Sequence, residues 1–206
     1  ELDLADPRVM KTINAMAMSG VAIDPTLAIH ETLLRSRNGK VSPGVADYID
    51  HMPVGVQRQA RNALAEIASP EDDAAYWRAY DKIVEALKLM HEKGLLLVPG
   101  TDLGGSFAYH RELELYQDVG MTAPEILAWA SYGMADYLGQ SAELGSIEEG
   151  KHADFFMVPG DPTTDLKAIK TISLVVKDGT VYFPSEIYPE FGIEPFTDIP
   201  EIVYPD

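Results

Sequence analysis

The residues best placed to do chemistry lie in one stretch, Pro99-Gly100-Thr101-Asp102-Leu103-Gly104-Gly105, which follows directly on the apolar run Leu95-Leu96-Leu97-Val98. An acid held just past a buried strand, among glycines that let a ligand approach the backbone, can bind a divalent cation, take a proton from water, or do both. Asp102 is that acid. Its plainer alternative is a turn residue whose carboxylate folds back on its own backbone, and the residue types alone do not decide between the two. Gly104, Gly105 and His110, at and beside the glycine-rich loop, are the candidates for touching a substrate, although a histidine opening a helix also serves as a cap or packing residue.

The other titratable clusters have simpler readings. His30 is expected to be a solvated loop residue, while His51, His91 and His152 are expected to be structural or exposed, with His91 offsetting the negative end of its helix. Glu71-Asp72-Asp73 precedes a helix, where the dipole favours acids, so it is not read as a metal site. Tyr76, Tyr80, Met90 and Met134 are read as core packing.

These residues need elements to hold them. Val9, Ile13, Met16 and Ala17 recur at helical spacing between Pro7 and Ser19, with Asp6 as N-cap, Pro7 in the first turn and Gly20 at the end. Val21-Ala22-Ile23 reads as a short buried strand that stops at Asp24-Pro25. From Leu27 to Asp73 the sequence is irregular, a long excursion with short helices such as Val56 to Ala68. A helix follows from Ala74 to Lys93, its apolar stripe formed by Tyr76, Tyr80, Ile83, Val84, Leu87 and Met90. Leu95 to Val98 has the character of a parallel strand buried on both faces.

Beyond the glycine-rich loop the pattern predicts a helix from about His110 to Val119. A second opens at Thr122, with Glu125 completing a capping box and Pro124 in the first turn, and runs through Trp129 to Leu138. Leu144 to Gly150 is turn-rich, Ala153 to Val158 is a strand, and Ile172 to Lys177, Asp178-Gly179 and Thr180 to Phe183 form a hairpin. The tail from Pro184 to Asp206, with five prolines, is expected to lie extended over a surface. Neither internal repeats nor low-complexity tracts are present.

Helix, strand, helix, strand and polar loop is the grammar of repeated βα units, and an acid beyond such a strand sits where parallel sheets and barrels place ligands. Composition narrows the partners. With 206 residues, 46% hydrophobic, the chain can bury a core, and 16 basic against 33 acidic side chains give a net charge of −17 that would repel a phosphate backbone. Nucleic acid is excluded as a partner on this ground. No apolar run reaches the ~20 residues of a membrane span, so no membrane partner is expected. The absence of cysteine removes disulfides and thiolate metal sites. The chain opens at Glu1 without an initiator Met or leader pattern, so it is expected to be processed or truncated. It is expected to be soluble, cytoplasmic or, after loss of an upstream signal peptide, periplasmic or secreted.

Taken together, VPGTDLGG, HRELELYQDVGMTAPEILAWAS, YLGQSAELGSIEEGKHADFFMV and ISLVVKDGTVYF resemble the C-terminal third of amidohydrolases, especially the branch of imidazolonepropionase and the prolidases. The resemblance spans roughly Ser19 to Phe183. It implies an α/β fold: the C-terminal part of a (β/α)8 TIM-type barrel over residues 1–144, a β-sandwich segment over 145–183, and the tail over 184–206. It makes Val21 to Asp24 the seventh barrel strand and Leu27 to Asp73 a loop over the active-site mouth. Thr101-Asp102 then closes the eighth strand, with Asp102 as metal ligand and general base or acid. Gly145, Gly150, Lys151, Ala153 and Asp154 match the turn where such chains leave the barrel.

The departures are as informative. The family's metal centre needs a His-x-His pair and further histidines from earlier strands, and none stands here in those places. Two barrel strands are visible, whereas a closed barrel needs eight and about 250 residues. The resemblance therefore implies a metal-dependent hydrolase of amide, cyclic amide or dipeptide C–N bonds, using one or two divalent ions, zinc foremost. Its remaining ligands would lie in a missing N-terminal portion or a companion chain. This chain alone is expected to bind no catalytic metal and to be inactive, and homo-oligomerisation stays open. The rival expectation is a non-catalytic assembly half or degenerate barrel module that binds a partner chain.

Overall fold

The computed structural model describes residues 2–201 and 203, a mixed α/β chain. In chain order its elements are α1 (Pro7–Ser19), β1 (Ala22–Ile23), α2 (Leu27–Arg35), α3 (Val54–Gln59), α4 (Pro70–Glu92), β2 (Leu96–Leu97) and α5 (Ser106–Val119). There follow α6 (Ala123–Ala128), a π-helical turn (Trp129–Gly133), α7 (Met134–Tyr137), β3 (Phe155–Met157), β4 (Leu174–Lys177), β5 (Thr180–Tyr182) and α8 (Pro184–Ile187). Contacts divide the chain into two compact units, one of residues 1–46 and 60–121, the other of 47–59 and 122–206.

In the first unit β1 and β2 pair in parallel, Ala22 opposite Leu96 and Ile23 opposite Leu97, and the Val98 N–H extends the ladder to the Ile23 carbonyl at 2.7 Å. Leu95 and Leu97 are buried, but Leu96 and Val98 are only half-buried, so one face of the strand is covered and the other in part. The core gathers Ile13, Leu27, Tyr80, Leu87, Leu97, Leu115, Tyr116 and Val119. Helix α1 has its expected bounds: Asp6 accepts the Arg8 N–H at 2.8 Å, and Gly20 leaves the helix at φ +69°, a left-handed conformation that glycine takes without steric cost.

Expectations about four helices need correction here. Helix α5 starts at Ser106, four residues before His110, so His110 lies inside the helix and does not open it. The excursion after Asp24 is not irregular at its start, for α2 forms at once; His30 is a helical residue, not a loop one. The helix expected over Val56 to Ala68 stops at Gln59, because the next carbonyls turn to other partners: Ala60 accepts from Ser42 N–H at 3.0 Å and Arg61 from Gly39 N–H at 2.8 Å. Helix α4 starts four residues earlier than expected, at Pro70, where Ser69 caps the Asp72 N–H at 3.1 Å and proline occupies the first turn. Glu71, Asp72 and Asp73 fill that turn, as the dipole favours, and Asp73 also pairs with Arg37.

Beneath α2, α4 and α5 lies a buried ionic cluster. Glu31 is 1% exposed and takes Arg111 bidentately, at 2.9 Å from Nε and 2.8 Å from Nη2, while Nη1 reaches Glu114 at 2.9 Å. Gly44 passes so near Glu31 that a Cβ there would lie 2.7 Å from its carboxylate.

The second unit opens with the Thr122–Glu125 capping box, and α6, the π turn and α7 run on as one helical stretch. Gly145, at φ +90°, lies where a Cβ would sit 2.8 Å from the Tyr132 Cα, so a side chain is excluded at this turn. The sheet is a single antiparallel layer in the order β3-β4-β5, with Phe156 opposite Val175 and Val176 opposite Val181. Asp178, at φ +50°, and Gly179 make the hairpin turn, steadied by Asp154, which accepts the Asp178 N–H at 2.9 Å. The tail is not extended throughout: Pro184 starts α8, a 3-10 turn follows over Tyr188–Phe191, and Phe196 stacks on His51 at 3.9 Å. Ile202 and residues 204–206 of that tail lie outside the described residues.

Candidate functional site

Asp102 stands five residues beyond the end of β2. Beyond Val98, Pro99 ends the ladder and Thr101 knots the chain: its hydroxyl donates to the Leu103 carbonyl at 2.6 Å and accepts the Leu103 N–H at 3.0 Å. The residue inside the knot is Asp102, forced to φ +50°, a left-handed backbone that aspartate tolerates better than most residues. Its carboxylate is exposed. A tight turn thus holds an exposed acid beyond the end of a parallel strand.

A second acid occupies the matching place on the neighbouring strand. Asp24 follows β1 directly, and its carboxylate lies against the Cα of Gly100, where a Cβ would overlap it. Any larger residue there would have to displace the Asp24 carboxylate. Sequence reasoning treated Asp24 as a strand terminator before Pro25; the signal that could have marked it is an acid just past a short apolar strand, the same signal that marked Asp102.

The turn after Asp24 is held from a distance. Thr26 precedes α2 at φ +47° and makes no side-chain cap bond. Instead Glu112, on α5 and fully buried, accepts the Leu27 N–H at 3.0 Å on one carboxylate oxygen and the Ala28 N–H at 2.7 Å on the other. The Tyr116 hydroxyl lies beside this carboxylate and favours its charged form. Burial pushes the Glu112 carboxyl up to about 7; the two amides and Tyr116 pull the other way, and the nearby negative charge of Asp24 pushes it further up. Tyr116 and Tyr109 are held above the usual phenol range, first by burial and then by the charge of Glu112.

Gly104 and Gly105 leave the space above the loop open, with no atom within 4 Å of where a Cβ would stand on either. His110 is on α5, one helical turn beyond Phe107, and meets its ring edge-on at 6.2 Å. The loop and the helix therefore bring Asp102, Gly104 and Gly105 together on one stretch, while His110 packs along the helix that follows.

A protein-bound catalytic zinc takes three protein ligands. Among the described residues no group of three or more His, Cys, Asp or Glu is gathered to hold a metal ion. Among the described residues Asp102 is a single donor, and holding a metal ion would take further ligands beside it.

Comparison with known proteins places this arrangement. The chain is similar in structure to a Xaa-Pro dipeptidase with methionine bound in its active site, at 23% identity and a TM-score of 0.58, over 84% of this chain and 37% of that one. It is similar to a putative prolidase from Bifidobacterium longum at 26% identity and 0.51, over 78% and 35%. A. niger ochratoxinase follows at 20% and 0.57, over 88% and 36%. The chain spans little more than a third of the length of these structures. No curated protein matches it. The amidohydrolase family matches from residue 2 to residue 182, which takes in both strands, the Asp102 loop, α5 and the three-stranded sheet. With that match over most of its length, the chain belongs to the amidohydrolase family, whose structural neighbours here are TIM-barrel enzymes.

Proposed function

We propose that this chain is the C-terminal part of a metal-dependent amidohydrolase that hydrolyses a C–N bond in an amide, a cyclic amide or a dipeptide. The observation that carries the reading is Asp102 itself: an exposed carboxylate, lifted by the Thr101–Leu103 knot just past a parallel strand, in a chain of this family. The prolidases and the Xaa-Pro dipeptidase among its structural relatives favour a dipeptide or a related small amide as substrate. One or two divalent ions, zinc foremost, would polarise the scissile carbonyl and activate water. Asp102 is the ligand this chain contributes and the group that takes the proton from the attacking water and returns it to the leaving nitrogen. Gly104 and Gly105 give the substrate access to the loop backbone, with His110 at its border.

The other metal ligands come from the missing N-terminal portion or a companion chain, and this chain alone is inactive. Among the described residues β1 and β2 pair only with each other, and Leu96 and Val98 stay half-covered, which supports further strands completing a barrel beside them. The three-stranded sheet would join the rest of a β-sandwich in the same way. The same open strands support the second reading, a non-catalytic module that binds a partner chain. No helix among the described residues is long and apolar enough to cross a membrane.

The two readings part on one experiment. In the intact, zinc-loaded protein, Asp102→Asn should abolish hydrolysis of a panel of Xaa-Pro dipeptides and N-acyl amino acids. A near-normal rate in that variant removes Asp102 from the chemistry, and an intact wild type that binds metal yet cleaves no C–N bond favours the assembly module.

A further inference from the structure

Resting on the reading of Asp102 as the site residue, we propose that Glu112 is a positioning residue that fixes the loop after β1 against the Asp102 loop by capping α2 from α5. Three relations on different elements meet at it. α2 has no cap of its own, since Thr26 sits at φ +47° without a side-chain bond, and its first two amides both end on the Glu112 carboxylate. α5, which carries Glu112, begins at Ser106, directly after the loop that carries Asp102. Between the two loops, the Asp24 carboxylate rests on Gly100, two residues before Asp102.

The three relations close a ring of short links: Glu112 to α2, α2 back through Thr26 to Asp24, Asp24 to Gly100, and Gly100 through Asp102 to α5 again. A side chain that only stabilised a helix would join α2 to α5 and leave the strand ends alone. Glu112 instead sets where both strand-end loops stand relative to one another, so a shift of α2 is transmitted to Asp102. The side chain suits the task because each of its two oxygens meets one amide at the N-terminal end of α2. An amide in its place offers one acceptor and turns an NH2 group toward the second N–H.

The test uses the intact protein. In Glu112→Gln, amide hydrogen exchange at Leu27 and Ala28 should accelerate by roughly tenfold, since each tenfold is about the worth of one lost hydrogen bond. Exchange at Leu103, whose N–H lies in the Asp102 knot, should accelerate with them. The rate constant kcat on a proline dipeptide should fall on the order of tenfold, from misplacement at the reacting centre, while KM changes by less than about twofold. Glu112→Asp keeps the charge but is too short to reach both amides, and should behave alike if the glutamine variant does not fold. Faster exchange at Leu27 and Ala28 with Leu103 and kcat unchanged would make Glu112 a local cap and overturn the proposal, as would unchanged exchange at all three. Should Asp102→Asn leave the rate intact, the reading of Asp102 falls, while exchange at Leu103 still decides whether Glu112 holds that loop.

Discussion

The carboxylate of Asp24 rests on the Cα of Gly100, and neither residue can be enlarged without moving the other. Each stands just past one strand of the parallel pair, so the contact joins the two strand ends beyond the ladder behind them.

Gly100→Ala tests that contact. The added methyl would overlap both Asp24 oxygens, and displacing them should cost about 1–3 kcal/mol, the usual range for overpacking. Gly104→Ala, in open space, is the control and should stay within about 0.5 kcal/mol of wild type. Urea denaturation of the intact protein reads both, and equal stabilities for the two variants would show that the contact has slack.

Glu112 predicts a pH dependence with a definite sign. Its carboxyl rises from 4.5 to about 7 on folding, so the folded state binds the proton more tightly. The stabilisation is present in full below pH 4.5 and is lost as pH rises through about 7. Asp24, Tyr109 and Tyr116 share its surroundings and are unchanged residues in Glu112→Gln, so the variant removes only the one titrating carboxyl. Between pH 5 and pH 8 wild type should lose about 2–3 kcal/mol more than the variant, from a shift of that size at 1.36 kcal/mol per pKa unit. Parallel stability curves would contradict it.

Arg111 joins two buried acids, Glu31 and Glu114. Arg111→Met strands both charges and should cost about 3–5 kcal/mol, the typical penalty for breaking a buried pair from one side. Arg111→Lys keeps the charge but not the planar fork that meets Glu31 at two points, and should recover only part of the loss. A change below about 1 kcal/mol in the methionine variant, by chemical denaturation, would mean that water reaches the cluster.

Ser69 carries a smaller, local effect. As N-cap of the 23-residue α4 it should be worth about 1 kcal/mol, read as a fall in stability for Ser69→Ala that Ser69→Asp restores. Indifference to both would show that Pro70 and the acids of the first turn suffice to start the helix.

Local signals in the sequence led to the elements they describe. Asp6-Pro7 and Gly20 bound α1, Thr122 and Glu125 form the capping box, and Asp178-Gly179 turns the hairpin, because each is settled by residues within one turn of itself. Pro70 lies in the stretch expected to be irregular and Pro184 opens the tail expected to be extended, yet proline suits a helix's first turn, so α4 starts earlier than expected and α8 is an unexpected helix. α2 had no such signal, since its cap lies 85 residues away. The same reason separates the parts of the site. Asp102 could be singled out from the strand before it and the glycines around it, and Asp24 carries the same local signal just past Ile23, whereas Glu112 takes its meaning from contacts that no local pattern encodes.

The remote cap on α2 also orders events during folding. A nine-residue helix is shorter than the roughly 12–15 residues at which isolated helices hold in water, and this one lacks a cap of its own. Synthesis proceeds from the N-terminus, so α2 leaves the ribosome well before Glu112 exists to receive its amides, and closing that long loop is a late and comparatively slow step. The start of α2 is therefore capped only when α5 docks, and a nascent chain cut short of residue 112 should leave it uncapped and open to proteases.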